Sequence, residues 1–321
     1  MFTFVQPNPS RLRVWHSLAR LTAVLCCLAV LSVCAVSSGQ RVRDVAERRG
    51  FTETTARGEG FAHTVFGNNI PVEADGVLHI YLEGDGSPWL MGRFVASDPT
   101  PWNPLMLRLM AKDRQPAFYV GRPCYNGFAQ AAGCHPDLWT RDRHADVVVR
   151  AMQSVIEQLY AQSGASAIYL FGHSGGGAMA MLLAPRLMAV TRVVTLAGNL
   201  NLDGWTRLHR YSPLSGSLDP ATQPVLRAGI RQWHFAGEQD RNIPPDLVVP
   251  TVQRQPNAAL YVMDGFSHGE GWEKVWGRIL GSLDQGLNSP DLGPFPHAVW
   301  DSTAPSAVTA EPALSFPGSA E

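Results

Sequence analysis

The chain has 321 residues and a formal net charge of −1. It therefore lacks the basic excess that a nucleic-acid partner would demand, and no nucleic acid is expected. Its 45% hydrophobic and 9% aromatic residues are ordinary for a globular protein with a real core, and the length suits one α/β domain.

Residues 1–39 read as an export signal or an N-terminal anchor. Arg11, Arg13 and Arg20 precede the apolar run 21–36, and the small residues Ser37, Ser38 and Gly39 follow it. The run is about 16 residues, short of the about 20 that a membrane span needs, so export with cleavage competes with attachment to a membrane through the N-terminus. Cys34 in Leu31-Ser32-Val33-Cys34 resembles a lipoprotein cleavage box, although Val33 stands where Gly, Ala or Ser is usual. Cleavage would leave Cys124 and Cys134 alone, an even count that suits a disulfide in an oxidising periplasmic or extracellular compartment. Two free thiols are the alternative. A disulfide across so short a loop would add roughly 3 kcal/mol.

Further along, 51–65 is rich in Thr and Phe and broken by Gly58 and Gly60, which predicts one or two strands joined by a turn. A strand over 77–82 ends abruptly in Glu83-Gly84-Asp85-Gly86. A helix is expected over 103–112 and a short strand over 117–120. Val148, Met152, Val155, Ile156 and Leu159 recur at three and four residues and predict a long helix over 142–162. The continuous apolar run 167–171 reads as a parallel strand buried on both faces. It leads into Gly172-His173-Ser174-Gly175-Gly176-Gly177 and then a helical stretch. Strands over 193–196, 233–236 and 259–263 and a helix over 271–285 complete the series. An irregular insertion separates 198 from 224, and 287–321 is a Pro-, Ser- and Ala-rich tail expected to be disordered. The predicted fold is α/β: a mostly parallel central sheet with helices on both faces, spanning 40–286, with a short insertion near the site.

A serine hydroxyl becomes a useful nucleophile only when a neighbouring base accepts its proton. Gly172-His173-Ser174-Gly175-Gly176 sits between a strand and a helix, where a sharp turn would expose Ser174. Asp240 follows the strand over 233–236, and His268 follows the strand over 259–263. The chain order Ser174, Asp240, His268 is that of an acid and a base carried on later loops. Asp203 and Asp264 are rival acids. His173 would pack beside the sheet, His79 and His234 lie within strands, and His135 and His144 belong to the cysteine loop and the start of the long helix.

These three stretches together resemble the α/β-hydrolase superfamily over about residues 51–285. Within it, Leu82-Glu83-Gly84-Asp85-Gly86-Ser87-Pro88-Trp89, Asp98-Pro99-Thr100-Pro101 and Gly121-Arg122-Pro123-Cys124 resemble a group of exported bacterial members with poorly assigned substrates. The resemblance implies Ser174 as nucleophile, His268 as base and Asp240 as the acid that orients it. It also implies an oxyanion hole from the N–H groups of Gly175 and of Asp85 or Gly86. Where such proteins usually carry His-Gly, this chain has Glu83-Gly84. Glu83 and Asp85 must then point away from the oxyanion or pair with a cation such as Arg93 or Arg122.

The expected activity is hydrolysis of a small-molecule carboxylic ester or thioester through an acyl-enzyme, with no metal and no organic cofactor. An acyltransferase or peptidase on the same triad, and a non-catalytic binding protein on the same fold, remain alternatives. Trp205, Leu208, Tyr211 and Leu214 in the insertion could line an acyl or aromatic pocket or pin the loop to the core.

Overall fold

A computed structural model describes residues 37–73, 75–284 and 300–301. The expected early strands are a hairpin, β1 (Thr52–Gly58) and β2 (Phe61–Gly67), turning at Glu59 and Gly60, both with positive φ. They are followed by β3 (Val77–Leu82), the small hairpin β4 (Trp89–Leu90) and β5 (Phe94–Val95), β6 (Ala117–Val120), β7 (Ala167–His173) and β8 (Val190–Leu196). Then come β9 (Arg231–Gly237), β10 (Ala258–Met263) and β11 (Trp300–Asp301). One nine-stranded sheet has the order β1-β2-β6-β3-β7-β8-β9-β10-β11, and β4-β5 stands apart. The run from β6 to β10 is parallel, while β1, β2 and β11 join antiparallel.

Among the described residues seven α-helices accompany the strands: α1 (Ser38–Arg48), α2 (Leu105–Met110), α3 (Asp146–Ser163), α4 (Gly175–Leu183), α5 (Leu202–His209), α6 (Pro245–Gln253) and α7 (Trp272–Asp284). Buried residues of α3, α4 and α6 pack on one face of the sheet, against Leu78, Ile80, Leu82, Ile168 and Leu170. Those of α1, α2 and α7 pack on the other, against Tyr81, Tyr169 and Phe171. Both faces being covered, β3 and β7 are buried on either side beyond the first residue of each, which is why 167–171 reads as an unbroken apolar run and 77–82 as an apolar run interrupted only by His79. Helix α3 buries Val148, Met152, Val155 and Ile156 as its periodicity predicts, and ends on Gly164 in the left-handed region.

The structure departs from the sequence reading in several places. The insertion after residue 198 is not irregular throughout, because α5 forms there, with Asn201 Oδ1 accepting from Gly204 N–H at 2.8 Å. The Asp219 carboxylate, distant in sequence, accepts from the N–H groups of Leu202 and Asp203, both at 3.0 Å, and so satisfies the helix start. Helix α6 forms despite Pro250, whose position is exposed. Helix α1 takes in Ser38 and Gly39, which are buried, with Ser37 as its N-cap, so the small residues read as the end of the leader begin the folded domain. The apolar run, Cys26, Cys27 and Cys34 lie outside the described residues, as does the tail except β11, which pairs with Ala259 and Leu260. Among the described residues no helix is long and apolar enough to cross a membrane. The sulfurs of Cys124 and Cys134 lie at disulfide bonding distance, and Cys124 is buried with Tyr125 and Trp139.

Candidate active site

Strand β7 delivers His173 to the C-terminal edge of the sheet, where the chain reverses at Ser174 with φ 53° and ψ −122° before α4 begins. This backbone is unfavourable for a side-chain-bearing residue, and its neighbours must hold it. Ser174 N–H donates to the Leu196 carbonyl at 3.0 Å, and Ser174 O accepts from Asn199 N–H at 2.9 Å. A Cβ on Gly172 would collide with the Gly176 carbonyl, and one on Gly176 with the Leu82 carbonyl. Only glycine lets the turn close this tightly.

The three residues expected to act together meet at this edge. His268 Nε2 lies 3.0 Å from Ser174 Oγ, and His268 Nδ1 lies 2.8 Å from Asp240 Oδ2. Asp240 is buried, and its other oxygen accepts from the N–H groups of Asn242 and Ile243, both at 2.8 Å. A carboxylate only accepts, so the proton sits on Nδ1 and Nε2 presents its lone pair to the hydroxyl. The rival acids do not come to the imidazole: Asp203 is exposed in the first turn of α5, and Asp264 is exposed in the turn after β10.

His173 does more than pack beside the sheet. Its Nε2–H donates to the His268 carbonyl at 2.8 Å, and Trp272 Nε1–H donates to the same oxygen at 3.1 Å. The elbow thus grips the loop that carries the base. His79 and His234 are buried within the sheet, as expected of strand residues, and His144 Nε2–H donates to the Gly175 carbonyl at 3.0 Å.

Gly84 abuts the elbow: a Cβ on it would lie 3.3 Å from Ser174 Cβ. The Asp85 carboxylate fills the space beside Gly175 where any side chain would stand. It is held by Arg122 Nη2 at 2.9 Å and Arg143 Nη1 at 3.0 Å. Burial pushes Asp85 up, but the Arg122 and Arg143 guanidiniums outweigh it and hold the group well below the usual carboxylate range. Arg122 was one expected partner; Arg143 carried no signal in the sequence. Arg93, the other expected partner, is exposed near the β4–β5 hairpin instead. Glu83, at the wall of the cleft, is tied to the backbone, accepting from Gly84 N–H at 3.2 Å and Met106 N–H at 3.0 Å. Burial raises it to about 7, against the lowering effect of those donors. Both acids are thus kept from opposing negative charge at Ser174.

A cleft of about 1050 Å³ opens over Ser174 and His268, with Trp89, Trp102, Trp205, Tyr211 and Leu214 among its walls. Three of these come from the insertion, where Trp205 and Tyr211 stand 5.1 Å apart. Leu208 is exposed and outside the wall.

Burial lowers His63, His144 and His173 to about 4 and His234 to about 3, from an ordinary 6.5. Between pH 6.5 and about 4 the unfolded chain binds protons that the folded chain refuses, so their contribution is complete above 6.5 and is lost as pH falls. Glu83 opposes this, since the folded chain keeps its proton up to about 7, but it is one group against four. We expect Tm to fall steadily from pH 6.5 to 4.5 in thermal melts; a flat or rising Tm would contradict the burial of these rings.

Residues 108–197 match the family model described as Lipase (class 3). No curated protein matches the chain by sequence. Among solved structures, an esterase of Pyrococcus furiosus is similar at 11% identity and a TM-score of 0.53, over 76% of this chain and 93% of that one. A puromycin hydrolase is similar at 17% identity and a TM-score of 0.51, over 73% of this chain and 38% of that one. With its parallel sheet, covered faces and strand-turn-helix elbow, the chain adopts the α/β-hydrolase fold.

Proposed function

We propose that this protein is a serine hydrolase that cleaves a small-molecule carboxylic ester or thioester through an acyl-enzyme. The observation that carries the reading is the continuous chain of contacts from Ser174 Oγ to His268 Nε2 and from His268 Nδ1 to Asp240. Ser174 Oγ attacks the acyl carbon while His268 Nε2 takes its proton, and Asp240 steadies the imidazolium that forms. The N–H of Gly175, at the start of α4, and that of Asp85 or Gly86 receive the developing oxyanion. His268 then gives its proton to the departing oxygen of an ester or sulfur of a thioester, and water releases the acyl group by the same steps with water in the place of the leaving group. The aromatic walls of the cleft favour an acyl or aryl group over a strongly hydrated one.

The leader pattern and the Cys124–Cys134 pair support placing this activity outside the cytoplasm, either free or attached to a membrane through the N-terminus. The test of the catalytic reading is labelling. A fluorophosphonate should modify the purified protein once, at Ser174, and Ser174→Ala should abolish both the label and hydrolysis of p-nitrophenyl esters. A label elsewhere, or an active Ser174→Ala variant, would remove Ser174 from the reaction.

A further inference from the structure

The geometry points to Asn242 as a further catalytic donor, one that stabilises the oxygen of the departing alcohol; this rests on the serine-hydrolase reading above. Asn242 Nδ2 lies 3.1 Å from His268 Nε2, the same nitrogen that Ser174 Oγ approaches at 3.0 Å. The orientation of the amide is fixed from the other side. Trp205 Nε1–H can only donate, and it lies 3.2 Å from Asn242 Oδ1, so the NH₂ group faces the imidazole. The backbone is held too: Asn242 N–H donates to Asp240 Oδ1, and Asn242 O accepts from His209 Nε2–H at 2.7 Å. Asn242, Ser174, His268 and Trp205 all line the same cleft.

With the ring proton on Nδ1, Nε2 has one lone pair, and two donors are aimed at it. In the resting enzyme they share it. Once the serine proton has moved to Nε2 the lone pair is gone, and the amide N–H faces another N–H. It must find a different acceptor. The leaving oxygen is the nearest one the reaction supplies, because it has to lie within hydrogen-bond reach of Nε2–H to receive the proton.

When the tetrahedral intermediate collapses, the bond from carbon to the leaving oxygen breaks and its electron pair stays on that oxygen. The oxyanion re-forms the carbonyl, and the proton on Nε2 passes to the leaving oxygen. The products are acyl-Ser174, a neutral alcohol and neutral His268. Asn242 transfers no proton; its N–H bonds to the leaving oxygen while that oxygen carries negative charge. In deacylation the attacking water occupies the same place.

The effect should grow with the charge the leaving oxygen has to bear. The experiment compares ethyl butyrate with p-nitrophenyl butyrate, which share an acyl group, in the wild type and in Asn242→Ala. Removing one such donor should lower kcat/KM by about 100-fold for the ethyl ester. The p-nitrophenyl ester, whose leaving group spreads its own charge, should lose less than about threefold. Equal losses, no loss or a gain would overturn the proposal. Should Asn242→Ala fail to fold, Trp205→Phe on the same pair of esters frees the amide to rotate and should show the same leaving-group dependence; its absence overturns the proposal as well. Ser174→Ala separates the two readings. If it is inactive while the Asn242 losses are equal, the donor role alone fails; if it is active, the serine mechanism fails.

Discussion

Asp240→Asn is expected to lower kcat/KM for ester hydrolysis by about 10⁴-fold while leaving the protein folded. The reason lies in which atoms surround the carboxylate. Two backbone N–H groups, from Asn242 and Ile243, already claim Oδ1 at 2.8 Å each. An asparagine would keep its carbonyl oxygen on those donors and turn its NH₂ toward His268 Nδ1. That nitrogen would then have to accept, moving the ring proton to Nε2 and leaving no lone pair for Ser174. Asp203→Asn, on an exposed turn of α5, should stay within about twofold of wild type, since surface substitutions away from the site change little. Steady-state rates on a p-nitrophenyl ester check both. A larger loss for Asp203→Asn would move the acid to the insertion.

The largest expected loss of stability follows Asp85→Ala. Arg122 and Arg143 are each only 5% exposed at the side chain, and Asp85 is the anion they share. Removing it leaves two buried guanidiniums facing each other without compensation, a situation that costs about 3–5 kcal/mol. For a domain of this size that lowers Tm on the order of 10 °C. Asp146 offers the contrast. It too meets two arginines, Arg150 and Arg186, but it is half exposed, so Asp146→Ala should cost under about 1 kcal/mol. Thermal melts of the two variants at pH 7.5 would settle the ranking, and an Asp85→Ala melt within about 2 °C of wild type would contradict it.

Most of the sheet was legible because burial on both faces writes itself as apolar runs, unbroken at 167–171 and interrupted only by His79 at 77–82, and because glycines crowd the elbow. The partners of Ser174 were legible for a related reason: each follows a recognisable strand. What escaped the sequence depends on contacts between distant segments. Helix α5 has Gly204 within it and owes its start to Asp219, 16 to 17 residues on, so local propensity gives little sign of it. Helix α6 hides behind Pro245 and Pro250, although Pro245 stands at its first turn, where proline is tolerated. Arg143 meets Asp85 across 58 positions, and Asn242 reaches His268 across 26. Neither residue has any local pattern to announce it. The β4–β5 hairpin is too short to show a period, and its apolar residues Met91 and Phe94 are exposed, so binary patterning does not describe it.

Ser174, Asp240 and His268 leave from β7, β9 and β10, whose ends are aligned by parallel pairing, Leu196 beside His173 and Gly237 beside Met263. Sliding one of these strands by two residues would keep every side chain on its own face, and so keep the core intact, yet would carry its loop about 6.6 Å along the sheet. A proton cannot cross such a gap. The tolerance of the chemistry is therefore set by ladder hydrogen bonds well below the cleft, and a substitution that loosens pairing between β9 and β10 can silence the enzyme without touching any residue that meets the substrate.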